Sequence, residues 1–218
     1  MNDRNQLYPV FLRLDRLRLL VVGAGEVGHE KLNFLLKSSP NANVTIVAPW
    51  MGPELKELLG EPFKQSEAAG VNTFKFYSPG GGSIEWLERE FLESDAAHAD
   101  LIIAATNFKD INLQVWDAAK RYDRIINVAD TPHLCDLYLG SIVTRGPLKV
   151  AVSTNGQSPT FAKRFRQWLE KQLPERETAE LLDNLKLFRD KLSGDFNAKV
   201  KALNEATKSL VQDSIPNR

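Results

Sequence analysis

The hydrophobic and polar positions between residues 17 and 36 form the clearest pattern in the chain. An apolar run at 17–22 leads into the glycine-rich sequence GAGEVG. Apolar residues then recur at close to helical spacing, at Val27, Leu32, Leu35 and Leu36. The pattern predicts a buried strand, a glycine loop and an amphipathic helix.

Strands and helices continue to alternate through the first 130 residues. Apolar runs predict further strands at 41–48, 74–77, 99–107 and 124–130, and an edge strand at 8–15. Helices are predicted at 51–60, 84–93 and 110–121, with loops at 61–70 and 78–83. This alternation is typical of a parallel, doubly wound sheet.

After residue 130 the pattern changes. An irregular stretch precedes SIVT and LKVAVST, which predict two strands joined by a turn. Ser158 and Pro159 have the character of a helix start, and 160–211 is predicted to be rich in helix. We therefore predict an α/β fold: a Rossmann-like parallel-sheet domain at 1–139, a small unit at 140–173 and a helical C-terminal domain at 174–218.

The glycine loop is the first candidate for chemistry, because strand, GxGxxG and helix together hold a dinucleotide pyrophosphate. Gly23 permits a tight turn, Gly25 lets the backbone approach the phosphates, and Gly28 allows close helix packing. The cofactor is predicted to contact this loop and the ends of two later strands, at Gly23, Gly25, Glu26, Val27, Gly28, Pro49, Trp50, Thr106 and Asn107.

Two glycine questions stay open at this point. Glycines also mark ordinary turns, so a purely structural loop in another α/β protein is the alternative for GAGEVG. The Gly80–Gly82 run is interpreted as a flexible connection rather than a second phosphate loop, because no buried strand leads into a matching helix.

The end of the second strand departs from the dinucleotide pattern. An Asp or Glu often binds the adenine-ribose 2′-hydroxyl there, whereas this chain has Ala48, Pro49 and Trp50. No Arg stands nearby to hold a 2′-phosphate, and the nearest base is Lys56. The sequence therefore favours NAD over NADP.

Composition narrows the class of protein. Lys+Arg and Asp+Glu both number 28, so no net charge favours nucleic acid or an anionic membrane. Cys135 is the sole cysteine, which excludes an internal disulfide, and we interpret it as a small core residue rather than a nucleophile. Without a membrane-length apolar run or a signal-peptide pattern, the chain is expected to be cytoplasmic.

Several segments together resemble one family. GAGEVGHEKLNFLL, IIAATN, NVAD and SIVTRGPLKVAVSTNGQSPTFAKRFRQWLE are similar to the precorrin-2 dehydrogenase/sirohydrochlorin ferrochelatase family, the N-terminal module of siroheme synthases. The resemblance covers roughly residues 7–172. It implies oxidation of precorrin-2 to sirohydrochlorin by NAD⁺, and a homodimer formed through about 140–173. Some members also insert Fe²⁺, and the sequence leaves that activity open.

The resemblance assigns Asp130, the aspartate of NVAD, as the acid/base residue. The residues agree, because Asp130 ends a predicted strand at the ligand edge of the sheet, where a carboxylate suits uptake of a proton. The alternative is a helix N-cap or turn residue before Thr131 and Pro132.

A tetrapyrrole substrate carries a rim of carboxylates and needs local positive charge. Candidate contacts lie in or beside the STNGQSP loop, at Ser153, Thr154, Gly156, Ser158, Arg145, Lys163 and Arg164. For each single base, a solvated helix face is the alternative. His133 is interpreted as a solvated or structural residue that could otherwise deliver iron, and no fixed set of metal ligands is predicted. The rival function is a regulatory module that senses NAD(H) without catalysis.

Overall fold

The computed structural model describes residues 5–78 and 80–208. Their contacts divide the chain into two units: residues 5–140 with 153–159, and residues 141–152 with 160–208. The predicted separation of 140–173 from 174–218 stays a prediction, and its last ten residues lie outside the described part.

Within the described residues, the first unit is built on a seven-stranded sheet. The strands are β1 Arg18–Val22, β2 Asn43–Ala48, β3 Lys64–Ala68, β4 Val71–Tyr77, β5 Ser83–Glu88, β6 Leu101–Ala104 and β7 Ile125–Val128. They lie in the order β3-β4-β5-β2-β1-β6-β7. The run from β5 to β7 is parallel, whereas β4 and β3 add antiparallel pairs at one edge.

Helices cover both faces of this sheet, which confirms the predicted doubly wound α/β fold. They are α1 Glu26–Ser38, α2 Pro53–Leu59, α3 Glu93–Ala97 and α4 Lys109–Arg121. Leu32 of α1 and Leu55 of α2 belong to one core cluster, and Val115 of α4 belongs to a second. Strand β1 serves both clusters, because successive side chains of a strand point to opposite faces.

The edge strand predicted at 8–15 is wrong. Residues 5–13 form no strand, and their side chains are exposed. The chain enters the sheet at β1, whose two neighbours are already β2 and β6, so the residues just before it meet no free edge. The backbone is fastened instead by Asn43, whose N–H and side-chain amide donate to the carbonyls of Leu14 and Asp15 at 3.3 and 3.0 Å.

The helix predicted at 84–93 is also wrong, because this stretch begins as β5. Ile84 and Trp86 are buried between more exposed neighbours, a period of two that pairing with β2 and β4 stabilises. The predicted loop at 61–70 contains β3, which a two-residue turn joins to β4. Ala69 and Gly70 in that turn both have positive φ, the backbone of a tight hairpin.

The glycine run at 80–82 is a connection, from β4 to β5, and its predicted flexibility stays a prediction; Pro79 lies outside the described residues. Its glycines pack against the residues that lead into β2. A Cβ built on Gly82 would collide with the carbonyl oxygen of Ala42, and one on Gly80 would lie 2.6 Å from the carbonyl carbon of Pro40. These positions therefore require glycine for close backbone contact.

The second unit joins a hairpin to helices. Its elements are β8 Ser141–Arg145, β9 Leu148–Val152, α5 Pro159–Gln172, α6 Glu175–Lys191 and α7 Phe196–Ala206. The hairpin and the helix start at Pro159 confirm the sequence interpretation. Gly146 turns the hairpin with a φ of +55°, and a Cβ there would lie 2.7 Å from the Cβ of Ala179 on α6. None of the helices in the described residues has the length and apolar composition needed to cross a membrane.

Candidate functional site

The carboxyl edge of the sheet has a switch point at β1. Val22 is in register with Val47 of β2 on one side and with Ala104 of β6 on the other. The chain leaves β1 toward β2 and reaches β6 only later, so the connections on the two sides diverge above β1. A crevice at such a point is where open α/β sheets bind ligands.

The glycine loop fills this switch point with backbone. Gly23 has a φ of +106°, and a Cβ there would lie 2.5 Å from the carbonyl oxygen of Ala105. A Cβ on Gly28 would collide with the carbonyl oxygen of Gly23, so helix α1 packs directly on the turn. Both glycines have the structural tasks that the sequence pattern predicts for them.

Gly25 is different, because a Cβ there would not collide with the backbone. Among the described residues it would meet the ring of Trp50, at an ordinary contact distance of 3.5 Å. Gly25 is also the N-cap of α1, and no side chain caps that helix end. The N–H groups of Glu26, Val27 and Gly28 have no acceptor within the helix. The loop therefore fits a dinucleotide pyrophosphate, which would lie over Gly25 and accept from these groups.

Beyond β2, the chain places an aromatic side chain beside the loop. Trp50 is 57% exposed, and its ring lies next to Gly25. The strand end before it is held by Trp86, whose indole N–H donates to the carbonyl of Ala48 at 2.9 Å. The predicted cofactor contacts at Pro49 and Trp50 thus follow directly on the strand next to the glycine loop.

The end of β6 is shaped by a residue that sequence reasoning missed. Asn112 on α4 is 6% exposed, and its carboxamide oxygen accepts from the Thr106 N–H and hydroxyl at 3.2 and 2.8 Å. Its amide nitrogen donates to the Thr106 carbonyl at 3.0 Å. Asn112 therefore fixes the turn that presents Thr106 and Asn107. A polar residue on the buried face of α4, three positions before Val115, was the available signal.

Asp130 lies two residues beyond β7 at the same carboxyl edge. The Ala129 N–H donates to the carbonyl of Ala104 at 2.9 Å, so this turn stays beside the end of β6. Asp130 has a φ of +54°, an uncommon backbone for a residue with a side chain. Its side chain is exposed, and it has no hydrogen-bond or ion-pair partner within residues 5–78 and 80–208.

The structural alternative for Asp130 holds in part. Asp130 is a turn residue, but the N-cap of the short 3₁₀ helix Pro132–Leu134 is Thr131, and no side chain caps that helix. Asp is among the residues that adopt this left-handed backbone most readily, so the turn leaves its carboxylate free for another role. The turn position and a chemical role are therefore compatible.

Cys135 is structural, as the sequence interpretation holds. Its thiol accepts from the Val128 N–H and donates to the Val128 carbonyl, both at 3.2 Å. Burial raises the pKa of the thiol, which disfavours the nucleophilic thiolate. His133 is exposed on the 3₁₀ helix. Across the described residues, no group of three or more His, Cys, Asp or Glu side chains is placed to hold a metal ion.

The predicted substrate loop, Ser153–Ser158, clusters with the first unit although the residues on either side of it belong to the second. Its shape is set by short-range hydrogen bonds. The Ser153 hydroxyl accepts from the Asn155 N–H at 3.2 Å, and the Thr154 hydroxyl accepts from the Ser158 N–H at 3.1 Å. Asn155 and Gly156 both have positive φ, which makes a compact turn.

Arg145 has a structural task within the second unit. Its guanidinium donates to the carbonyls of Leu173, Thr144 and Glu170 at 2.6, 2.9 and 3.1 Å. It binds β8 to the C-terminal end of α5, where a cation also suits the helix dipole. Three of its five N–H groups are engaged there, and a part of Arg145 in substrate binding stays a prediction. Lys163 and Arg164 are exposed and form no ion pair within the described residues, and their part in substrate binding stays a prediction.

Comparisons with known proteins agree with this geometry. A family model described as "Putative NAD(P)-binding" matches residues 10–141, and "Sirohaem biosynthesis protein central" matches residues 145–172. Siroheme synthase 3 of Aeromonas hydrophila is 35% identical over 167 residues, which cover 77% of this chain and 31% of that protein. Siroheme synthase of Pseudoalteromonas atlantica is 31% identical over 197 residues, 90% of this chain and 37% of that protein.

The chain thus spans about a third of the length of these relatives. A solved structure titled "SirC, precorrin-2 dehydrogenase" has the same fold, with a TM-score of 0.67, 23% sequence identity, and coverage of 95% of this chain and 94% of that one. These matches confirm the resemblance inferred from the sequence. The chain belongs to the putative NAD(P)-binding family whose model spans residues 10–141, and its cofactor is of the nicotinamide dinucleotide class.

Proposed function

We propose that this protein oxidises precorrin-2 to sirohydrochlorin with NAD⁺ as the oxidant. One observation carries the proposal: an exposed carboxylate without a partner in the described residues, Asp130, stands at the carboxyl edge that also holds the glycine loop. Strands β1, β6 and β7 are neighbours in the sheet, so only the end of β6 separates the two features. The siroheme synthase relatives supply the substrate class.

The glycine loop and the uncapped start of α1 would hold the cofactor, whose nicotinamide accepts a hydride from the substrate. Loss of a hydride leaves an acidified, cationic macrocycle that must also lose a proton. Asp130 accepts that proton, since its exposed carboxylate oxygens have lone pairs that no group in the described residues engages. The turn Val128–Thr131 fixes its position, and Asn112 fixes the neighbouring turn after β6.

The test is to incubate the protein with NAD⁺ and precorrin-2 and to follow the absorbance of sirohydrochlorin. In Asp130→Asn the rate is expected to fall by about 10²–10⁴-fold, the usual contribution of a general base. NAD⁺ affinity is expected to stay within about twofold, because the pyrophosphate loop is two strands away. Asn tolerates positive φ, so the variant retains the turn.

Asp123→Asn is the matched control, because Asp123 is also exposed and has the same φ of +54°. It precedes β7, at the opposite edge of the sheet, and its substitution should leave turnover unchanged. Wild-type turnover in Asp130→Asn would remove Asp130 from the mechanism. A protein that binds NAD⁺ and never oxidises precorrin-2 would instead be the NAD(H)-sensing module.

Two finer proposals accompany the oxidation. The first is Fe²⁺ insertion into sirohydrochlorin, with Asp130 and the exposed His133 beside the macrocycle. The assay mixes the protein with purified sirohydrochlorin and Fe²⁺ in the absence of NAD⁺. An unchanged absorbance spectrum of sirohydrochlorin would refute this proposal.

The second is a cytoplasmic homodimer formed through 140–173. Phe161, Phe165 and Trp168 support it, because they stack at 5.8 and 5.6 Å along α5 and are 58%, 38% and 52% exposed. Light scattering on the purified chain distinguishes the dimer from a monomer.

A further inference from the structure

An acidic side chain on α2 lies beside Gly52, whose backbone is hydrogen-bonded to the glycine loop. A Cβ built on Gly52 would lie 3.3 Å from the carbonyl oxygen of Ala24, 3.4 Å from the ring of Trp50 and 3.6 Å from Glu54 Oε2. The Gly52 N–H donates to the same Ala24 carbonyl at 2.9 Å, so this turn is fastened directly to the loop. The Ala24 carbonyl, the Trp50 ring and the Glu54 carboxylate therefore all lie around Gly52, next to the predicted cofactor site.

Trp50 connects this point to Gly25. Its indole lies 3.5 Å from the Cβ position of Gly25 and 3.4 Å from that of Gly52, so the ring lies alongside both glycines. The ring is 57% exposed and offers a flat apolar surface. An adenosine that extends from a pyrophosphate over Gly25 would meet this surface first.

Glu54 is the acid at this point that is available to a ligand. Its side chain is exposed and has no ion pair within residues 5–78 and 80–208. Lys56 is two positions further along α2, a spacing that turns the two side chains away from each other. Glu88 of β5, an acid in register with Ala48, accepts from the Asn72 side chain at 2.8 Å.

We propose that Glu54 replaces the acid missing from the end of β2: its carboxylate accepts a hydrogen bond from the adenine-ribose 2′-hydroxyl and repels a 2′-phosphate. The inference rests on the proposed function, which requires a bound nicotinamide dinucleotide. It makes Glu54 the residue that selects NAD over NADP, with Trp50 supporting the adenosine. A carboxylate discriminates strongly here, because a phosphate brings like charge to a site without Arg.

Isothermal titration calorimetry with NAD⁺ and with NADP⁺ measures this selectivity as the ratio of the two dissociation constants. The wild-type chain is expected to bind NAD⁺ at least about tenfold more tightly than NADP⁺. In Glu54→Gln the ratio should fall by about tenfold or more, because the repulsion of the 2′-phosphate disappears. Glu57→Gln removes a charge one turn further along α2 and should leave the ratio unchanged.

The outcomes separate this inference from the proposed function. Equal binding of NAD⁺ and NADP⁺ by the wild-type chain, or an unchanged ratio in Glu54→Gln, overturns the role of Glu54 while the dehydrogenase proposal stands. A chain that binds neither dinucleotide overturns both. The melting temperature of each variant shows whether α2 is intact, since an acid in the first turn also stabilises its helix.

Discussion

Two glycine-rich stretches of the first unit look alike in sequence and differ in what surrounds them. Gly80 and Gly82 face the chain's own backbone: a Cβ at either position would run into residues 40–42. Gly25 lies beside an uncapped helix start, and among the described residues its Cβ position contacts the Trp50 ring rather than the backbone. A glycine that packs on backbone is needed for folding, whereas one beside free helix N–H groups suits the approach of an anionic ligand.

Gly82→Ala is expected to have the largest effect on stability. Its Cβ would collide with the carbonyl oxygen of Ala42, and backbone at the start of β2 or β5 must shift to make room. Overpacking of this kind costs roughly 3 kcal/mol of unfolding free energy. Urea denaturation measures the loss, and NAD⁺ affinity of the folded fraction should be unchanged.

Gly81→Ala is its matched control. Gly81 has a φ of +81°, but no atom of residues 5–78 and 80–208 lies within 4 Å of its Cβ position, so only the left-handed backbone is penalised. That penalty is about 1 kcal/mol. Equal destabilisation by the two substitutions would contradict the packing role assigned to Gly82.

Gly25→Ala is expected to give the opposite profile. The added methyl group meets Trp50 at 3.5 Å, an ordinary contact, so the free energy of unfolding should fall by no more than about 1 kcal/mol, the cost of Ala at an N-cap. The same methyl group enters the space through which phosphates reach the N–H groups of α1. NAD⁺ affinity should therefore drop at least about tenfold. Normal cofactor binding by this variant would mean that the pyrophosphate lies elsewhere.

The sequence predicts the parallel strands β1, β2, β6 and β7 well because they are largely buried on both faces. Strand segments 19–22 and 101–104 consist of apolar residues. In the segments that follow them, apolar residues recur at helical spacing, which separates helix from strand. The mistake at 84–93 has a physical cause. Ser83–Glu88 alternates weakly, and its pairing with two strands distant in sequence decides its conformation.

The sequence predicts those parts of the candidate site that a short backbone motif defines. It does not predict the parts that depend on contacts between residues distant in the chain. The glycine loop and the turn at Asp130 follow from short segments next to strands. Asn112 and Arg145 do not, because their roles depend on hydrogen bonds to Thr106 and to the end of α5. The dinucleotide fingerprint does not identify Glu54, since this residue lies on a helix beside Gly52 rather than at the end of β2.

The smallest expected effect on stability lies at the amino edge of the sheet, opposite the candidate site. There Arg18 of β1 holds Asp100: the Arg18 N–H and side chain donate to its carboxylate at distances of 2.7 to 3.0 Å. These hydrogen bonds from Arg18 lower the pKa of Asp100 to about 2. Because the folded-state pKa lies below the ordinary 3.8, the charged carboxylate stabilises the fold above about pH 4, and that contribution is lost as the pH falls toward 2.

Asp100→Asn should therefore remove about 1 kcal/mol or less at pH 7, since the ion pair is largely solvated, and almost nothing near pH 2. Denaturant unfolding at several pH values measures this difference, and Asp117→Asn, an exposed acid of α4 without an ion pair in the described chain, should not reproduce it. NAD⁺ affinity should be unchanged in both variants, because β1 carries the ion pair at one end and the glycine loop at the other. A loss of cofactor binding in Asp100→Asn without unfolding would show that the two edges of the sheet are coupled. Cofactor binding would then depend on strand β1 as a whole, and not only on the glycines of the loop that follows it.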